Sequence, residues 1–145
     1  MAGSNTMKFT DNRGSSAVEF ALVLPVLLVL IFGIVELGLL LYNQQILTNA
    51  SREGARAGIV TGVPRVSPAT IEAVVNNYAT NHLVTFAVTT PALIFDPPID
   101  ECVSFGDDLI VTVSFDYNFF VLPAFTAAVI PVSKTLTAQA VMKCE

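Results

Sequence analysis

The chain has 145 residues, room for one modest folded domain and not for two. Hydrophobic residues make up 53% of it and its mean hydropathy is +0.66, an excess concentrated in the first third. Residues 1–57 are charge-neutral, whereas residues 58–145 carry three bases against eight acids, which excludes the clustered Lys and Arg of a nucleic-acid footprint.

The first informative stretch is Gly14-Ser15-Ser16-Ala17-Val18-Glu19, which opens an apolar run over residues 20–41. A run of this length is close to the ~20 residues that a helix needs to cross a bilayer. The run is interrupted only by Glu36, and Glu19 stands at its mouth. A rise of ~1.5 Å per residue sets the two acids about 25 Å apart, so they bracket a membrane rather than sit in its middle. Lys8 and Arg13 precede the run, which predicts an inside N-terminus and an exported C-terminal part; Arg52 and Arg56 after it pull the other way. A general secretory signal fits poorly. Its apolar core is shorter, and the one A-x-A match, Ala55-Arg56-Ala57, lies far downstream. Pro25 lies inside the predicted helix, where the missing donor and the ring's crowding of the Ala21 carbonyl predict a kink.

Helical spacing continues past the apolar run, with Tyr42, Ile46, Asn49, Ala50, Glu53 and Ala57 forming a narrow stripe until Gly58, Gly62 and Pro64 end it. A helix this long without internal caps normally packs against others. Ser67 and Pro68 then begin a second, capped helix bearing Ile71, Val74, Val75 and Tyr78, with Asn81 as its stop. Residues 83–90 favour a strand ended by Pro91. In residues 109–119, Leu109, Val111, Val113, Phe115 and Tyr117 alternate with polar neighbours, the pattern of a half-buried strand. Residues 120–131 are apolar and broken by prolines: a loop or short helix over the sheet, or a patch that meets another subunit or the membrane. Residues 132–144 alternate again, with Leu136, Ala138, Ala140 and Met142 on one face. The expected fold is α+β: a long N-terminal helix, then an antiparallel sheet of about three or four strands with one further helix.

Cys102 and Cys144 are the only cysteines, and an even number on the exported side predicts one disulfide, with two unpaired buried thiols as the other reading. Catalytic signatures are missing. His82 is the only histidine, at the end of the second helix, and neither a Ser/His/Asp spacing, a phosphate loop, H-E-x-x-H nor C-x-x-C occurs. Asp96, Asp100, Glu101, Asp107 and Asp108 do not follow a calcium-loop spacing and read as a solvated acidic surface. No enzyme, cofactor or metal is expected.

Three segments together, residues 14–25, then Phe32-Gly33-Ile34-Val35-Glu36-Leu37-Gly38, then Ala50-Ser51-Arg52-Glu53-Gly54-Ala55-Arg56, resemble the TadE-like family, the pilin-like minor proteins of tight-adherence (Flp-type) pilus systems. The resemblance implies a type IV pilin-like fold and cleavage by a prepilin peptidase between Gly14 and Ser15. Residues 1–14 are then a leader, 15–62 a transmembrane and stalk helix, and 63–145 an exported domain. Glu19 and Phe20 become the assembly residues, with Glu19 facing the new Ser15 amine of a neighbour, or of its own chain. The implied partners are the peptidase, other pilin or pseudopilin subunits, the inner-membrane assembly machinery and the lipid bilayer. About 80 residues follow the helix, which suits a minor pilin rather than the very small major pilins. The competing reading is an uncleaved, single-pass anchored module that binds a partner; a thiol-redox enzyme is more distant.

Overall fold

The structure, a computed structural model, describes residues 13–62, 64–85, 92–120 and 132–145. The first twelve residues of the expected leader, most of the strand expected at 83–90, and the apolar segment 121–131 lie outside the described residues.

The apolar run and the stalk form one 47-residue helix, α1 (Arg13–Ile59), whose assignment continues without a break through Pro25. Helix α2 (Pro68–His82) follows, then strands β1 (Asp108–Asn118) and β2 (Ser133–Lys143), which pair antiparallel. The start of α2 follows from its sequence. Ser67 is extended (φ −70°, ψ 151°), its hydroxyl accepts from the Thr70 amide at 3.4 Å, and Pro68 occupies the first turn, where a missing N–H costs nothing. Its far end, expected at Asn81, comes one residue later: His82 Nδ1 pairs with the Tyr78 carbonyl at 2.8 Å and its ring stacks on Tyr78. This contact is a helix-end role for the only histidine.

Among the described residues the sheet has two strands, not three or four. One further bridge is made by Ile94, whose amide and carbonyl both bond Ser114 on the outer edge of β1. The inner face follows the predicted alternation, with Leu109, Val111, Val113, Phe115 and Tyr117 of β1 and Leu136, Ala138 and Ala140 of β2 buried. Met142 is only half-buried. The outer face carries a polar ladder: Thr112 with Gln139, Ser114 with Thr137, and Asp116 with Thr135.

One face of α1 covers this sheet and α2. It is formed by Gly33, Glu36, Leu40, Asn43, Leu47, Ala50, Gly54 and Gly58, at three- and four-residue steps. This corrects the stripe expected from the sequence. Ile46 and Ala50 are buried as expected, but Tyr42, Asn49 and Glu53 face outward. Polar Asn43 and Ser51 are completely buried instead, because each bonds backbone groups: Asn43 donates to the Val84 carbonyl at 2.7 Å and accepts its amide at 3.0 Å, and Ser51 donates to the Thr48 carbonyl.

The strands run alongside α1. Phe120, just past β1, donates its amide to Glu36; Gln44 donates to the Thr137 carbonyl at 2.9 Å; and the Glu145 amide bonds the Ile59 carbonyl at 3.3 Å. From Glu36 to Ile59 the helix climbs about 35 Å at ~1.5 Å per residue. From Ser133 to Glu145 an extended chain covers about 40 Å at ~3.3 Å per residue, so helix and strand are nearly aligned. At the Ile59 end, Cys102 and Cys144 form a disulfide with Cα atoms 5.7 Å apart, both buried. Beside it Gly106 takes φ +88°, a left-handed turn conformation that glycine adopts without strain.

Candidate assembly segment

Below Glu36, towards the N-terminus, α1 is nearly bare. Phe20, Leu22 and Val26 are 65%, 71% and 68% exposed, and none of the most apolar eighteen-residue stretch is buried. A water-exposed apolar surface this large is not a stable end state for a soluble protein. By length and composition the helix is able to cross a membrane.

The residues singled out from the sequence gather on the first turns of this bare portion. Gly14, Ser15, Glu19 and Phe20 are all exposed, and a side chain at Gly14 would meet nothing within 4 Å. The four-residue spacing of Ser15 and Glu19 places them on one helix face. There the Ser15 hydroxyl donates to Glu19 Oε1 at 3.3 Å, while Glu19 Oε2 takes no partner among the described residues. The first turn of α1 contains no acid, so among the described residues Glu19 is the nearest carboxylate to the positive end of the helix dipole. Pro25 lies one and a half turns on, bordering an apolar hollow shared with Val26, Val29 and Leu30. The cysteine pair belongs to the opposite end of the molecule, and nothing brings it near Glu19.

Residues 14–56 match the family model for TadE-like protein. The matched stretch is almost all of α1, and it joins three surfaces: the exposed Gly14–Phe20 turns, the bare apolar span, and the covered face that carries the C-terminal domain. The TadE-like match points to a tight-adherence pilus context. No curated protein and no solved structure matches the chain.

The structure gives two groups a role that the sequence reading did not assign. Glu36 is 2% exposed and accepts the Phe120 amide, so it fastens the end of β1 to the helix where the bare surface begins. Facing it, Tyr117 is buried and its hydroxyl has no hydrogen-bond partner among the described residues. Burial, reinforced by the charge of Glu36, raises the Tyr117 pKa above the usual phenol value. An acid interrupting an apolar run was a signal for Glu36; its partner, 84 residues away, had none. Among the described residues no three His, Cys, Asp or Glu side chains are placed to hold a metal ion.

Proposed function

We infer that this chain is a minor pilin or pseudopilin of a tight-adherence pilus system, cut by a prepilin peptidase between Gly14 and Ser15 and assembling through α1. Its role is structural rather than catalytic. The reading is carried by the joining, on one helix, of an exposed Gly14–Ser15 bond, an exposed carboxylate one turn on, and a long uncovered apolar surface.

The chemistry runs as follows. Cleavage creates an amine at Ser15, a cation near neutral pH. A positive charge at the positive end of a helix is unfavourable, and lipid makes it more so. Glu19 supplies the compensating charge. Its own Ser15 hydroxyl engages one carboxylate oxygen, and Oε2 remains for the amine of an adjacent subunit. A pair made between chains offsets the burial of both charges and sets a stagger between neighbours. The peptidase, other pilin subunits, the inner-membrane assembly machinery and the bilayer are the partners this scheme requires. The N-terminus is then cytoplasmic and the α+β domain exported.

The test is the mass of the mature N-terminus in cells that carry the pilus system. A chain starting at Ser15 is expected, and Gly14→Leu should leave only the unprocessed form. Glu19→Ala should be cleaved yet unable to support piliation. Normal piliation by Glu19→Ala would remove the charge-pairing role. An intact Met1 or Ala2 start would return the chain to the competing reading, an uncleaved anchored binding module.

A further inference from the structure

We propose that the C-terminal domain makes a second contact with the bilayer, through the ends of β1 and β2 at Phe120 and Val132, in addition to the helix that anchors it. Phe120 is held at the height of Glu36 by its amide bond, and the Phe119 amide bonds the Val132 carbonyl at 2.9 Å, so both strand ends share that level. From Ser15 to Glu36 the helix rises about 32 Å at ~1.5 Å per residue. That distance matches the ~30 Å hydrocarbon core, which places Phe120 and Val132 at its outer boundary. A span starting instead at Phe20 would set them deeper.

What these residues present is apolar. Phe120 is 68% exposed and Val132 67% exposed. No residue from 119 to 132 carries a charge, and the stretch includes three phenylalanines. The inner face of the sheet is already taken by α1 and α2, and the outer face at this end is the Ser114–Thr137 and Asp116–Thr135 ladder. The bilayer interface is an apolar phase at that height, and aromatic side chains favour that depth. On the helix, the covered face continues past Glu36 as far as Gly33, one turn into the bare segment. The contact fixes the tilt of the domain on the membrane independently of any cleavage.

The sequence contains no tryptophan, so single substitutions give clean probes. The full-length chain carrying Phe120→Trp or Val132→Trp is reconstituted into phosphatidylcholine vesicles whose acyl chains are brominated near the headgroup end. Phe105→Trp, 86% exposed at the Ile59 end, is the aqueous control, and Leu27→Trp reports the span itself. The expected result is strong bromine quenching and protection from aqueous iodide at positions 120 and 132, the reverse at 105, and no dependence on protein-to-lipid ratio. If 27 is quenched by bromines in the chain interior while 120 and 132 respond to iodide like 105, the proposal fails and the spanning helix stands. Blue-shifted emission at 120 and 132 that escapes bromine and disappears on dilution in lipid also overturns it, in favour of a contact between subunits.

Discussion

Gly54→Ala should destabilise the domain although alanine is the better helix former. A Cβ at Gly54 would lie 2.3 Å from Val75 Cγ2, 3.5 Å from Ile71 Cγ2 and 3.6 Å from Val111 Cγ1. Carbon atoms in contact settle at about 3.5–4.0 Å, so the Val75 methyl group must retreat by more than ~1 Å. It has little freedom to do so, because valine in a helix is nearly locked in one rotamer and Val75 is fully buried. Helix α2 must therefore back away from α1. Overpacking of this kind costs about 1–3 kcal/mol. A 2.3 Å approach to a locked methyl group belongs in the upper part of that range; the gain in helix propensity returns up to about 1 kcal/mol, and the net loss is about 1–2 kcal/mol. For a domain near 100 residues this lowers the melting temperature by roughly 5–15 °C. The assay is thermal unfolding of the detergent-solubilised chain by near-ultraviolet circular dichroism. Gly38→Ala is the matched control on the same helix, since a Cβ there meets nothing within 4 Å and should be neutral or mildly stabilising. Val75→Ala should cost less in the Gly54→Ala background than alone. If Gly54→Ala melts at or above the wild type, the close approach of α1 and α2 is not what fixes this glycine.

Reduction of the Cys102–Cys144 bridge, which closes a separation of 42 residues, should lower unfolding stability by about 3–4 kcal/mol, measured as the shift in denaturant midpoint with and without reductant. Tyr117 should be the last tyrosine to ionise in an alkaline absorbance titration, and Tyr117→Phe should remove that late component. Because its folded pKa is raised, its contribution to stability is complete below the ordinary value near 10 and declines as pH climbs through the folded value. Unfolding free energies of wild type and Tyr117→Phe that fall identically above that pH would contradict this. Glu36→Leu removes the acceptor for the Phe120 amide and should destabilise that end of the hairpin by about 1.5–3 kcal/mol. Faster hydrogen exchange at Phe120, with little change at Leu109 and Val111, is the check.

The long helix, the Ser67 cap, both strands and the disulfide were legible because each rests on a local or compositional signal: an unbroken apolar run, a cap followed by proline, alternation of period two, and a cysteine count. The covered face of α1 was not legible. Asn43, Ser51 and Glu36 look like outward residues until their backbone partners are known, and for Asn43 and Glu36 those partners lie 41 and 84 residues along the chain. Gly58 was read as a signal that the helix stops, and α1 does end one residue later, at Ile59. In the structure it marks where α1 closes on its neighbours, since a Cβ there would fall 2.5 Å from Leu109 and 2.6 Å from Ile71. The residues proposed for assembly were visible only as a pattern near the N-terminus; the structure adds that Ser15 and Glu19 share one open helix face.

The alignment of the strands with α1 has a mechanical consequence. The eleven-residue strands lie along the axis of α1, with their hydrogen bonds across it. Tension applied through the helix loads those rungs in shear, so they resist together, whereas a hairpin set crosswise would unzip rung by rung. Clamps at Glu36 and at Ile59 hold the two ends of that reinforcement to the rod it stiffens.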